Sequence, residues 1–223
     1  MTKPDGSTPT ATASNTKLLA CHHSTTTTEG SATGHTITSN GSVASSTIAP
    51  AYGMSSVYFP DGDSDYLTVS GSAEHQIYGD AFTVEAWLYP ITFNSNYNYF
   101  ISKGGNSTRE WAFSLSASNI IVYWSTNGSA DSTITATVTN STKIWTHIAI
   151  TKSGSDISIY KDGALVGTGT FSSIYGGNGT LTIGRLFQYT GISHSYDGHI
   201  SNLRIIKGQS LYSGAFTPPE RFK

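Results

Sequence analysis

The stretch Trp145–Val166, WTHIAITKSGSDISIYKDGALV, decides the fold. It reads as a strand over Trp145–Lys152, a Ser-Gly-Ser-Asp turn, a strand over Ile157–Lys161, a tight Asp162-Gly163 turn and a third strand from Ala164. Gly and Asp tolerate the positive φ angles of short hairpin turns, which β-branched residues do not. Two hairpins in so short a stretch make an antiparallel meander and leave no room for a helix. A meander that buries one face requires a second sheet laid over it. Phe82–Tyr89, FTVEAWLY, is a clear further strand, because Phe82, Val84, Ala86 and Leu88 alternate with Thr83, Glu85, Trp87 and Tyr89. The expectation is an all-β, antiparallel two-sheet sandwich.

Working outward, strands are expected at Thr16–Cys21, His35–Ser39, Ser55–Phe59, Tyr99–Ser102, Trp111–Ser116 and Ile120–Ser125. Others follow at Ser132–Val138, Leu181–Arg185 and His199–Lys207, whereas Ser42–Met54 reads as irregular. Ile120, Val122 and Trp124 share one face of their strand, with Ile121 and Tyr123 on the other. In the last strand the apolar residues Ile200, Leu203 and Ile205 break the alternation, which predicts a β-bulge near Ser201 or Asn202.

The ordered succession SVYFPDGDSDYLTV (56–69), DAFTVEAWLYP (80–90), WTHIAITKSGSDISIYKDG (145–163), LTIGR (181–185) and YDGHISNLRI (196–205) resembles the laminin-G-like, or concanavalin-A-like, jelly-roll family. TKLL (16–19), GHTITSNG (34–41) and LYSGAFTPPERF (211–222) further resemble the version of this domain in structural proteins of tailed, notably marine, bacteriophages. In the wider family calcium often sits at one sandwich edge, held by an Asp after the first strand and another in the final strand. Here those positions fall at about His23 and Ser201, so both acids are missing, and Asp197 precedes the expected place.

The 223 residues suit one large sandwich, expected over residues 16–223 behind a flexible Pro/Ser/Thr/Ala leader at 1–15. Charged residues make up 12%, against about a quarter in ordinary domains, so the surface is hydroxyl and amide rather than ionic. A net charge of −2 and scattered Lys152, Lys161 and Arg185 exclude a nucleic-acid footprint. No apolar run is long enough for membrane insertion, and the N-terminus lacks the apolar segment of a signal peptide. Cys21 has no partner for an intramolecular disulfide and reads as a buried small apolar residue.

Asp61, Asp63 and Asp65 alternate like the first ligands of a calcium loop. Tyr66 and Ser72 stand where that loop needs glycine and glutamate, so a turn between strands is the preferred reading and calcium the minority one. His22 and His23, with His35 nearby, lack further ligands at metal-binding spacing. Sandwich glycosidases need two carboxylates about 5 to 5.5 Å apart for a retaining mechanism. No strand here carries such a pair, and Glu85 and Glu110 stand alone in sequence. His147 lacks a nucleophile elbow and reads as a packed histidine, so no enzyme is expected. Glycan recognition needs aromatic faces and neutral amides or hydroxyls. Three loop clusters offer them, 94–99, 123–131 and 187–196, with Asn96, Tyr97, Tyr99, Trp124, Asn127, Tyr189 and Tyr196 as candidate contacts.

By the narrower resemblance, the chain is expected to be a non-catalytic, lectin-like module on a virion exterior. It would be a capsid decoration or fibre component that holds host-surface glycans, weakly per copy and more tightly through many copies. Its partners would be capsid or fibre proteins, glycans and other copies of the chain; an extracellular or cell-surface position is the alternative location. The rival reading is a purely structural capsid or assembly subunit that binds protein neighbours and no glycan. Five Asn-x-Ser/Thr triplets begin at Asn40, Asn106, Asn127, Asn140 and Asn178, three of them Asn-Gly turns.

Overall fold

The computed structural model describes residues 11–51, 54–60, 64–70, 73–79, 81–93, 97–105, 108–171, 173–186 and 194–220. The strands in chain order begin with β1 (Thr16–Ala20), β2 (Ile37–Asn40), β3 (Ala44–Ser46), β4 (Ser56–Phe59) and β5 (Tyr66–Val69). After a 3-10 turn at Ala73–His75 come β6 (Ala81–Pro90), β7 (Asn98–Gly104), β8 (Trp111–Leu115), β9 (Asn119–Ser125) and β10 (Asp131–Thr137). The meander supplies β11 (Thr146–Ser153), β12 (Asp156–Lys161) and β13 (Ala164–Thr170), followed by β14 (Thr180–Ile183) and β15 (Gly198–Lys207). The stretch expected to be irregular contains β3, a three-residue, largely exposed polar strand paired with β4 at a sheet edge.

One sheet has the order β13-β12-β11-β6-β15-β4-β3, with β1 also paired to β15; the other has the order β10-β9-β8-β7-β14-β5-β2. All the pairings are antiparallel, as a jelly-roll sandwich requires. Phe82, Val84, Ala86 and Leu88 point inward, against Phe100, Phe113, Val122 and Leu181 of the opposite sheet, in one continuous core. Burying such side chains contributes about 1.5–3 kcal/mol each, which makes this core the main source of stability. At one edge β13 meets β10. A Cβ on Gly167 would stand 2.7 Å from Ala136 Cβ, and one on Gly169 2.6 Å from Ile134, so glycine lets the two sheets close.

The turns follow their sequence chemistry. Asp162 and Gly163 both have positive φ, 50° and 81°, as a two-residue hairpin with two left-handed positions requires. In β15 the register against β6 shifts between Ser201 and Arg204, with Asn202 at φ 48°, which is the bulge that the broken alternation predicts. Cys21 is buried, and burial pushes its thiol pKa up, so it behaves as an apolar residue. Residues 11–15, expected to belong to the leader, pack on the domain: Ala11 is buried beside Ala149 and Tyr160, and Lys207 N–H donates to Asn15 O.

Beyond β15 the chain folds back over the outer face of the larger sheet. Leu211, Tyr212 and Phe216 pack with Tyr160 and Ile206, and Trp87 Nε1 donates to Pro219 O at 3.1 Å. Beneath this strap lies fully buried Glu85. Its carboxylate accepts from Arg204 Nε at 2.8 Å and Tyr212 OH at 2.8 Å, and His147 Nε2 lies 3.2 Å away. Burial alone would raise the Glu85 pKa, but Arg204, then His147 and Tyr212, overcome it and hold the carboxyl below its ordinary range. Among the described residues no helix is long and apolar enough to cross a membrane.

Candidate functional site

The outer face of the smaller sheet carries an open cleft because an interior strand, β8, presents small side chains there. On β8, Trp111, Phe113 and Leu115 turn inward, leaving Ala112 and Ser114 to face out. The ladder places Ser102, Ala112 and Tyr123 in one row across β7, β8 and β9, and Tyr99, Ser114 and Ile121 in the next. Large flanking residues around a floor of Ser102 and Ala112 produce a cleft of about 360 Å³ counted to its open mouth.

One wall is aromatic. Tyr99 and Tyr123 have ring centroids 5.4 Å apart, and Tyr97 and His194 stack nearly parallel to each other at 6.3 Å. Tyr97 lies 6.4 Å from both other tyrosines and is 43% exposed, which leaves part of it open to a ligand. Burial pushes the Tyr99 and Tyr123 hydroxyl pKa values up, so both remain neutral O–H groups. The Tyr123 hydroxyl oxygen and Ser114 Oγ are buried without a geometrically complete hydrogen bond, although the Tyr99 and Ser114 hydroxyls lie near enough to act on Tyr123.

The other wall is ionic and self-neutralised. Arg109 NH1 pairs with Asp131 Oδ2 at 2.7 Å, at the half-exposed mouth. Deeper, Lys103 Nζ donates to both Glu110 oxygens at 2.8 and 2.9 Å and to Gly179 O, while Gly179 N–H donates to Glu110. Burial raises the Glu110 pKa more strongly than Lys103 and the Gly179 N–H lower it.

Members of all three sequence clusters meet at or beside the cleft: Tyr99, Tyr123 and Asp131 line it, and Tyr97 and His194 pack beside Tyr99 at its edge. The named candidates divide differently. Tyr97 and Tyr99 stand at the cleft. Trp124 touches it only from below, its ring 8% exposed and stacked on Phe171 at 4.9 Å, so it has no face for a sugar. Tyr196 is fully buried and donates to His199 O at 3.2 Å. Asn127 is exposed, but its Oδ1 accepts from Ser129 and Ala130 N–H and shapes the turn. Asn96 and Tyr189 lie outside the described residues, as do Asp61 and Asp63. Asp65 accepts from Ser42 N–H and closes the Asn40-Gly41 turn, while Asp197 accepts from Thr92 Oγ1 at 2.7 Å. Among the described residues no three His, Cys, Asp or Glu side chains gather to hold a metal. Arg109 is a site residue that no local motif announced, and it pairs with Asp131 twenty-two positions away.

A second aromatic feature lies on the larger sheet, where Tyr58, His199 and Tyr89 pair in register and Trp145 follows, with centroids 4.9, 5.6 and 5.3 Å apart. Its rings lean on one another.

Fold and cleft define a lectin-like β-sandwich in which the two lone glutamates are each held by a cation, Glu85 of β6 by Arg204 and Glu110, just before β8, by Lys103. The chain belongs to the concanavalin A-like lectin/glucanases superfamily, whose family model matches residues 61–213. Solved structures with this fold include the binding domain of Paraclostridial Mosquitocidal Protein 1, with TM-score 0.68 and 14% identity over 90% of this chain and 50% of that one. The botulinum neurotoxin serotype G binding domain gives TM-score 0.69 and 17% identity over 89% and 49%. Domain 4 of a GH43 extracellular arabinanase from Geobacillus stearothermophilus, in complex with arabinotriose, gives 0.60 and 19% over 90% and 95%. At these identities the likeness is one of fold, and the chain spans about half the length of the toxin domains. No curated protein matches it.

These comparisons correct the narrower resemblance. The similar structures named above are toxin binding domains and a polysaccharidase module rather than phage proteins, so the virion exterior, the capsid or fibre partners and the structural capsid subunit are all withdrawn. The phrases that suggested a phage are absorbed by the sandwich itself. TKLL opens β1, SNG makes the turn after β2, and LYSGAF is the strap whose Tyr212 and Phe216 cover Glu85 and Tyr160.

Proposed function

We propose that the chain is a lectin-like module that binds a glycan in the cleft between Tyr97, Tyr99 and Tyr123 on one side and Arg109–Asp131 on the other. The observation that carries this reading is the convergence of three tyrosines, Tyr99 and Tyr123 lining the cleft above a floor of Ser102 and Ala112 and the partly exposed Tyr97 packed against both at its edge. Sugar rings offer an apolar face for aromatic contact and hydroxyls for neutral O–H partners, and this cleft supplies both. The arabinanase domain of the same fold, solved with arabinotriose, supports the reading by analogy, and the extracellular enzyme and toxins that carry this fold support action outside a cell or at its surface.

The test is equilibrium binding to a broad oligosaccharide and polysaccharide panel. Saturable binding is expected. Tyr97→Ala removes a partly exposed side chain and is expected to lower affinity about tenfold, the scale of one aromatic contact, while shifting stability by no more than about 1 kcal/mol. Ala112→Leu, which raises the floor, is expected to abolish binding. Binding that survives both substitutions would place the ligand elsewhere, and a chain that binds no glycan even when clustered on beads would refute the reading.

A further inference from the structure

The cations lining the cleft are each already answered by a carboxylate. Lys103 is held by Glu110 and Gly179 in the buried wall, so neither charge can turn toward a ligand. Arg109 is held at the mouth by Asp131, and its backbone N–H is fixed to Gly128 O at 2.9 Å. These four lining charges sum to zero, and the remaining polar side chains of the wall include the Tyr99, Tyr123 and Ser102 hydroxyls.

A neutral glycan can use this surface as it stands, through ring faces and hydroxyls. A carboxylated sugar, by contrast, meets Asp131 beside the guanidinium it needs, and must displace it or remain unpaired. We infer that the cleft selects neutral glycans over carboxylated ones, and that Asp131 sets this selectivity by keeping Arg109 occupied. The inference rests on the glycan reading of the cleft and adds to it a ligand class and a specificity-determining residue.

The experiment titrates the purified chain with neutral oligosaccharides and with the same backbones bearing uronic or sialic acid residues. All titrations are made in one buffer at a single pH. Neutral forms are expected to bind about tenfold more tightly than their carboxylated counterparts, the factor set by one unmade charge-assisted bond, with an affinity indifferent to salt between about 0.05 and 0.5 M. Asp131→Asn keeps the side chain's shape and releases the guanidinium, so it narrows or reverses the gap; adding Arg109→Gln restores it. Carboxylated glycans bound as tightly as neutral ones by the wild type, with affinity falling as salt rises, would overturn the inference while leaving the glycan reading intact. So would a gap that Asp131→Asn leaves unchanged. Binding of no glycan of either kind would overturn the glycan reading itself, and the selectivity with it.

Discussion

Glu85→Gln is expected to lower the unfolding free energy by about 3–5 kcal/mol, the scale of breaking a buried ion pair by removing one partner. Glu85 sits at the centre of the larger sheet with no exposed surface, and its carboxylate answers Arg204, His147 and Tyr212 at once. The amide preserves the volume but leaves the nearly buried Arg204 guanidinium without its counter-charge. It also weakens the hydrogen bond that ties Tyr212, and with it the strap, to the sheet. Urea unfolding of wild type and variant measures the difference. A loss under about 1 kcal/mol would mean that Arg204 finds another partner and that the strap does not depend on this carboxylate.

Acid is expected to destabilise the protein through His75, by roughly 3 kcal/mol in full. The imidazole is buried in the 3-10 turn between the sandwich and His35, whose ring lies 4.3 Å away. Burial, then the charges of His35 and Lys103, push its pKa down to about 4. In the unfolded chain it takes up a proton near the ordinary value of about 6.5. Between these two values the unfolded state binds more protons than the folded one, so stability is full above about pH 6.5 and falls until about pH 4. His22 and His199, also pushed down by burial, act in the same direction. Denaturant unfolding across this window, in wild type and in His75→Gln, isolates the contribution. Parallel curves for the two proteins would show that His75 does not titrate with folding.

Local pattern carried the fold because alternation and turn chemistry are local. The broken alternation of Ile200, Leu203 and Ile205 located the bulge, and the Asp-Gly pair located a turn whose two φ angles are both positive. The same alternation assigned Trp124 to the face of Ile120 and Val122, which is the core, although its aromatic character had placed it among the site candidates. Its burial was therefore readable from strand geometry. What was not readable is what the sheet ladders assemble. The Arg109–Asp131 pair depends on β8, β9 and β10 lying side by side, and Glu85 meets Arg204 and Tyr212 only because the chain end folds back across the sheet. The three polar-aromatic loops could be seen one by one, but that their members share one cleft is a property of the registers of β7, β8 and β9. The phage resemblance failed for a related reason: its phrases encode a strand, a turn and a strap, which any sandwich of this design can use.

The central claim, a glycan held on the outer face of the smaller sheet, is tested most directly by titrating the isotope-labelled chain with the tightest-binding oligosaccharide of the panel and mapping amide shifts by NMR. The account predicts that the perturbed amides cluster on Tyr97, Tyr99, Ala112, Tyr123 and Asp131. Perturbations gathered instead on Tyr58, Tyr89, Trp145 and His199, on the opposite face, would contradict it.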